Sequence, residues 1–458
     1  MRKLLVANRG EIACRIMRSA RSLDIKTVAV FSEADREALH VRSSDEAYPI
    51  GPSPAKESYL SASKILEVAR SSGADAIHPG YGFLSENAAF AEKVLQSGLQ
   101  WVGPAPEAIR LMGDKQTARD TAQQAGLPIV PGSRRFVPGQ LTGLDEAARQ
   151  VGFPLLIKAA AGGGGIGMRQ ANGLDGLDRH VVGVQEAAQK SFGNGDVYLE
   201  RFIPKARHVE IQVFGFGDGR AMHLFERDCS LQRRFQKIIE ETPAPLLPDD
   251  VRHRMYEASL ALCRKICYAG AGTVEFIVDA ETHEFFFLEM NTRIQVEHPI
   301  TEMVTNLDLV SMQLALTSGR TDALPQEANK KGCAVECRLY AENPAKTFFP
   351  SPGRLDTFKL PLSTPNIRID TGYREGDTIT PFYDPLIAKI IARGDTRDQA
   401  ISNAISALAD TIVSGITTNR DFLIECLKND AFLLGDVHTR FVEDHHDELI
   451  PKMHQRYR

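Results

Sequence analysis

In the first third of the chain, apolar runs alternate with segments of helical spacing. "KLLVAN" from Lys3 reads as a strand, "EIACRIMRSARSLD" as a helix and "KTVAVF" as the next strand. Ile12, Ile16, Met17, Ala20 and Leu23 fall on one face of that helix, the 3.6-residue period of a packed amphipathic segment. "ADAIHPGYGFLSEN" then carries a strand into a Pro/Gly-rich loop, and loops at the carboxyl ends of parallel strands are where such sheets place ligands. Pro104 and Pro106 lead into helical spacing that "AGLPIVPG" closes, so this stretch marks a boundary. From about Lys115 to "TSGRTDALPQ" the pattern becomes strand-rich α+β. A third block opens at "KKGCAVECRLYAENP", with strands "AVECRLYA", "RLDTFKL" and "PLIAKIIA". Two amphipathic helices follow it, "TRDQAISNAISALADT" and "NRDFLIECLKND". The pattern predicts an α/β and α+β multidomain chain whose first part is a parallel α/β domain.

Composition narrows the class. The 458 residues suggest roughly three domains, and 43% hydrophobic with 25% charged residues is ordinary for a globular protein. A net charge of −5 gives no global pull toward nucleic acid or an anionic membrane. No apolar run is long enough to span a bilayer, and "MRKLLVANRGE" is too short for a signal-peptide core. Seven cysteines, an odd number, favour a reducing cytoplasm over a disulfide framework. Cys263/Cys267 and Cys333/Cys337 have C-x3-C spacing but no neighbouring His or second pair, so they read as small buried hydrophobes. The first strand–helix turn is "NRGE" and not GxGxxG, which argues against a nicotinamide-binding Rossmann domain.

Two stretches carry candidate chemistry. "IKAAAGGGGIGMR" (157–169) puts five glycines into six positions after a short apolar run. Bare backbone lets consecutive N–H groups curl around an anion, phosphate above all. The G-x4-G-K-[ST] order is missing, so this is no Walker A loop; it reads as a hairpin tip, a flap over a polyphosphate. "GTVEFIVDAETHEFFFLEMNTR" reads as two strands around a loop at 280–284, which pairs Asp279 with Phe285, Ile277 with Phe287 and Glu275 with Glu289. Residues directly opposite lie about 4.5–5.5 Å apart at Cβ, where like charges repel unless a cation bridges them. Asn291, on the same face as Glu289, offers a third oxygen, and hard oxygen ligands beside phosphate favour Mg2+. In "HVEIQVFG", His208, Glu210 and Gln212 alternate with Val209, Ile211 and Val213, giving one polar and one packed face.

Together these stretches resemble the biotin carboxylases of the ATP-grasp superfamily. The resemblance rests on "LVANRGEIACRI", "HPGYGFLSEN", "LMGDK", "IKAAAGGGG-GMR", "RHVEIQV", "ERDCSLQRR-QKIIEE-PAP", "EMNTRIQVEHPITEM", "AVECRLYAE" and "GDTITPFYDPLIAKII", in the family's order from near residue 4 to about residue 395. It implies an N-terminal α/β domain over 1–113, an ATP-grasp domain over 114–328 with a glycine-rich lid at about 131–203, a C-terminal α+β domain over 329–447 and a polar tail at 448–458. Lys115 and Lys158 are implied to contact the phosphates of ATP, under a lid containing Gly163, Gly164 and Gly165. Glu200, Arg201 and Ile203 are implied to meet adenine, and His208 and Gln232 to approach the ribose and phosphates. Glu275 and Glu289, assisted by Asn291, would hold Mg2+ or Mn2+. Lys237, Arg293, Gln295 and Val296 match the family's bicarbonate site, Glu297 its general base and Arg338 the arginine that faces biotin.

The implied activity is carboxylation of biotin through carboxyphosphate, the first half-reaction of a biotin-dependent carboxylase. Another ATP-grasp ligase, or a nucleotide-binding homologue with reduced turnover, is the alternative. No lysine stands between two methionines, so biotin is expected on a separate carrier protein or domain, beside a carboxyltransferase subunit. The resemblance also implies a homodimer. "HLFERDCSLQRR" leans toward carboxylases of acyl-CoAs, branched ones especially. Three positions depart from the family's usual residues: Ile166 for a Lys or Arg in the flap, Phe235 for a His, and Asn306 for a Gly.

Overall fold

The structure, a computed structural model, describes residues 1–160 and 168–450, with only the backbone of Ser191 and Phe192. The glycines Gly163, Gly164 and Gly165, together with Ile166 and most of the polar tail, lie outside the described residues.

The amino-terminal alternation produces a five-stranded parallel sheet. Its strands are β1 (Lys3–Val6), β2 (Lys26–Phe31), β3 (Glu46–Pro49), β4 (Ala76–His78) and β5 (Gln100–Trp101), in the order β3-β2-β1-β4-β5. Leu4, Leu5 and Val6 are all fully buried, because helices cover both faces of the central strand. The helix Gly10–Ser22 buries the apolar stripe read from the sequence against β1 and β2. β1 and β4 therefore deliver the loops at 7–9 and 79–87 to one end of the sheet, where Asn8 donates to the carbonyls of Pro79 and Tyr81 at 2.7 Å.

A small three-stranded sheet follows. β6 (Leu155–Ala159) pairs antiparallel with β7 (Met168–Ala171) on one side and β8 (Val197–Arg201) on the other. The strands flanking the glycine run are thus hairpin partners, as the sequence suggested.

The largest unit is an eight-stranded sheet. It contains β9 (Ala206–Phe216), β10 (Ala221–Arg233), β11 (Gln236–Thr242), β12 (Ala269–Asp279), β13 (Phe285–Asn291) and β14 (Cys333–Tyr340), plus the strands Leu386–Gly394 and Ile367–Thr371. The order is β13-β12-β9-β10-β11-β14, then Leu386–Gly394, then Ile367–Thr371. The third block of the sequence therefore does not form a sheet of its own: β11 pairs with β14 through Ile239–Cys337, Glu240–Glu336, Glu241–Val335 and Thr242–Ala334. "RLDTFKL" departs from its expectation, splitting into the short strands Gly353–Arg354 and Thr357–Lys359.

Val209, Ile211 and Val213 are fully buried against the helix Asp249–Lys265, the packed face expected of β9. In the β12–β13 hairpin, Glu275 does face Glu289, but Phe287 pairs with Phe276 and Phe285 with Val278. The shift in register has a local cause. A bulge beside Glu275 places Leu288, 46% exposed, in excess of the ladder and shifts the remaining pairs by one residue. Cys263 and Cys337 are buried as expected, whereas Cys333 is half-buried and Cys267 is exposed at a helix end. Asn306 takes the left-handed conformation (φ 56°) that closes the helix His298–Thr305, a position asparagine fills with little strain where glycine is usual.

Candidate active site

The polar face of β9 is the floor of the site. Arg227, on β10, crosses it and uses all five of its N–H donors. They reach Glu210 (2.6 Å), Gln212 (2.6 Å), Thr301 (2.9 Å), Thr273 (3.2 Å) and Gln295 (2.7 Å). Arg227 is fully buried, and its partners come from β9, β12, the 292–297 loop and the helix after it. That one side chain therefore ties the loop to two strands of the sheet.

Lys237, at the start of β11, is the centre of charge. Its ammonium donates to Glu210 (2.6 Å), Glu297 (2.7 Å) and Glu275 (3.0 Å). Burial works against its charge, but the surrounding carboxylates outweigh that and hold it well above the ordinary lysine range. Glu297 feels the converse: burial opposes ionisation, while Lys237, Arg338 and Arg227 keep its carboxyl well below the usual range. Its second oxygen accepts from Arg338 at 2.9 Å.

Glu275 is similarly enclosed. Asn291 and Gln295 each donate to Oε1 at 2.8 Å, and His208 meets Oε2 at 3.0 Å. His208 is in turn within 3.0 Å of Gln232. Arg293 donates to Asn291 at 2.8 Å and to Glu86 at 2.9 Å. Val296 contributes its carbonyl, which accepts from the buried Lys389 at 2.8 Å. The structure thus brings together Lys237, Glu275, Asn291, Arg293, Gln295, Glu297, Arg338, His208 and Gln232.

The remaining candidates stand around this cluster. Glu289 is exposed beside it, and its proton is held more tightly than usual by partial burial and by the charge of Glu275. Lys115, exposed at the first turn of the helix Lys115–Gln124, is close enough to pull the other way. On the small sheet, Lys158 pairs with Glu200 at 2.6 Å, and Arg119 takes the other oxygen of Glu200 at 2.9 Å. Arg201, next along the strand, pairs with Glu284 at 3.2 Å. Ile203 sits in a small apolar cluster with Val130, Ala206 and Phe286. Phe235 occupies the β10–β11 turn, 85% exposed, with φ of 65° after 48° at Arg234.

The donor set limits where a divalent cation could sit. Among the described residues, two trios offer ligand atoms within 4.8 Å of one another, His208–Glu210–Glu275 and Glu210–Cys229–Glu297. Lys237 lies between them and both oxygens of Glu210 are already paired, with Arg227 and Lys237, so a cation there would meet an ammonium. Glu275 and Glu289 on the open side fit better: they are cross-strand partners, Glu289 has no ion pair among the described residues, and a divalent cation would relieve their repulsion.

Sequence reasoning gave no role to Glu86, Arg227, Lys389, Glu240 or Glu336. Glu86 stood in the ligand-placing loop "GFLSEN", and Lys389 was a lone cation in the apolar run "PLIAKIIA", so both left a signal.

Family models match most of the chain. Residues 1–109 match the biotin carboxylase N-terminal domain, 114–324 the carbamoyl-phosphate synthase L chain ATP-binding domain and 336–444 the biotin carboxylase C-terminal domain. The chain is 48% identical to biotin carboxylase 1 of Bacillus subtilis over 97% of this chain and 98% of that protein. It is 47% identical to the methylcrotonoyl-CoA carboxylase subunit alpha of Dictyostelium discoideum, covering 98% of this chain but 64% of that one. The biotin carboxylase domain of a thermophilic 2-oxoglutarate carboxylase bound to bicarbonate superimposes with a TM-score of 0.91 at 40% identity, over 97% of this chain and 98% of that one. The corresponding domain dimer from Hydrogenobacter thermophilus, in complex with MgADP, ADP and bicarbonate, gives 0.86 at 41% identity over 97% of each chain. No helix among the described residues is long and apolar enough to cross a membrane. The chain belongs to the biotin carboxylase family.

Proposed function

We propose that this biotin carboxylase performs the ATP- and bicarbonate-dependent carboxylation of biotin with Glu297 as base, Lys237 and Arg293 as anion holders and Arg338 as the biotin-facing cation. One observation carries the assignment. Glu297 has Lys237 on one carboxylate oxygen and Arg338 on the other, so the base sits between the groups assigned to the two substrates.

The ligand-free pairing keeps Glu297 ionised but weakly basic. When bicarbonate takes donors of Lys237 and Arg293, its negative charge raises the proton affinity of Glu297. Glu297 then accepts the bicarbonate proton as the oxygen attacks the γ-phosphorus of ATP; ADP leaves and carboxyphosphate forms. Carboxyphosphate decomposes to CO2 and phosphate, and the ureido nitrogen of biotin captures the CO2 while phosphate takes its proton. Arg338, permanently charged and forked, stabilises the enolate-like ureido oxygen that develops. Gln295, held by Arg227, and the carbonyl of Val296, held by Lys389, keep the bicarbonate loop in place. Mg2+ or Mn2+, where bound, would be held by Glu275 and Glu289 with Asn291, and supplies charge neutralisation between the phosphates and the incoming anion.

Lys115, Lys158 and the glycines Gly163, Gly164 and Gly165 are assigned to the phosphates, His208 and Gln232 to the ribose side, and Glu200, Arg201 and Ile203 to adenine. The division near residues 113 and 328, with a lid at about 131–203, belongs to the same reading. Biotin is presented by a separate carrier, a carboxyltransferase consumes the product, and the enzyme works as a homodimer in the cytoplasm. The similarity to a methylcrotonoyl-CoA carboxylase subunit and to a domain dimer supports those partners. Phosphate release that requires both bicarbonate and biotin, and that falls in Glu297→Gln, tests the assignment; release in the variant equal to the parent's rejects it.

A further inference from the structure

Beneath the helix His298–Thr305, on the face of the sheet that carries Arg338, two buried carboxylates meet. Glu240 on β11 and Glu336 on β14 are directly opposite in the ladder, and both side chains are fully buried. Ile300 and Val304 of the helix close over this face by packing on Ala334 and Ile391. None of the four carboxylate oxygens has a well-formed hydrogen bond among the described residues. Glu240 contacts the Nη2 atom of Arg338, and that same nitrogen donates to Glu297 at 2.9 Å. Glu336 has no ion pair among the described residues.

Buried carboxylates are costly, and two facing each other resist ionising together. The charges around them come from every neighbouring element. Lys237 lies on β11, Cys229 on β10, Cys337, Arg338 and Tyr340 on β14, Asp384 just before the next strand and Lys389 on it, and Glu297 before the covering helix. His298 on that helix is neutral, because burial and the nearby cations hold its proton affinity far down. Burial pushes both carboxyls up, Glu240 to about 7 with Arg338 opposing, and Glu336 further.

We propose that Glu240 is a positioning residue for Arg338: Glu240 and Glu336 hold one proton between them, and losing it at alkaline pH draws the guanidinium away from Glu297 and the biotin site. The geometry makes this a competition for one nitrogen. With the proton in place, the two carboxylates share a single charge and Nη2 of Arg338 serves Glu297. With the pair ionised, a buried carboxylate beside that nitrogen outbids an acid already shared with Lys237. The inference rests on the roles of Arg338 and Glu297 proposed above.

Two near-isosteric variants separate positioning from mere support. Glu240→Gln removes the competing charge, so the alkaline limb of kcat for biotin-dependent ATP cleavage moves to higher pH or disappears. Glu336→Gln removes the repelling neighbour and supplies an N–H donor, so Glu240 ionises earlier and the limb moves down by about one pH unit or more. KM for ATP stays within about twofold in both. Infrared difference spectra of the parent between neutral and alkaline pH show loss of a carboxylic-acid carbonyl band, which is absent from the double variant. The inference is overturned by a parent with no alkaline limb, by variant limbs that coincide with the parent or shift in the same direction, or by no such band. Arg338→Gln distinguishes the levels. If it keeps biotin-dependent turnover, the underlying reading fails; if it loses turnover while the glutamine variants match the parent, only this inference fails.

Discussion

Arg227→Met tests how the active-site loop is held. Methionine matches the length of the arginine stem but removes five hydrogen bonds at a site with no solvent access. Glu210 keeps Lys237 and Gln212 keeps the Gly272 carbonyl, so the loss is smaller than five independent bonds. Breaking a buried ion pair by removing one partner costs about 3–5 kcal/mol. Arg227→Lys offers three donors in place of five, and at about 1 kcal/mol per hydrogen bond it should cost roughly 1–3 kcal/mol. Urea unfolding followed by circular dichroism should therefore rank parent, lysine variant and methionine variant in that order. Turnover supplies a second reading: with Gln295 released from Arg227, KM for bicarbonate should rise about tenfold, equivalent to about 1.4 kcal/mol. A methionine variant within about 1 kcal/mol of the parent, or one with unchanged bicarbonate affinity, would refute the claim that this arginine ties the loop to the sheet.

Glu297→Gln should lower bicarbonate-dependent ATP cleavage by about 10²–10⁴-fold while calorimetry still detects ATP binding. Phe235→Gly should raise the unfolding free energy by up to about 1 kcal/mol, because a bulky residue at φ 65° is replaced by one with no left-handed penalty. Glu289→Gln has a signed pH dependence. The folded state holds the Glu289 proton more tightly than the unfolded chain, so the carboxyl costs stability once pH exceeds the unfolded value of about 4.3. In metal-free buffer the glutamine variant should therefore melt higher than the parent at pH 7, and the difference should vanish below about pH 4. With ATP and magnesium added the order should reverse, since the variant lacks one of the metal's two carboxylates; equal requirements for magnesium would count against Glu289 as a ligand.

Much of this arrangement was legible because it depends on local periodicity. The βαβ start, the alternating face of β9 and the facing of Glu275 and Glu289 follow from 3.6- and 2-residue repeats, which the chain obeys at those points. What escaped reading was non-local. No sequence rule announces that Leu288 bulges out of β13, and that one residue displaced the remaining pairs of the hairpin. Arg227 was visible in "ERDCS", but its five partners are spread from residue 210 to residue 301 and meet only when three strands, a loop and a helix are assembled. The third block looked like a separate unit because its strands are distant in sequence, yet β14 completes its ladder on β11.

That shared ladder constrains how the enzyme can move. Lys237, assigned above to the bicarbonate, and Arg338, assigned to biotin, ride on adjacent strands, so four rungs from Ile239–Cys337 to Thr242–Ala334 would have to break before the two could separate. On those assignments, the gap that a CO2 molecule must cross between its release and its capture is a fixed span of β-sheet, the same in every catalytic cycle. Whatever opens to admit ATP or the carrier must hinge somewhere other than this seam.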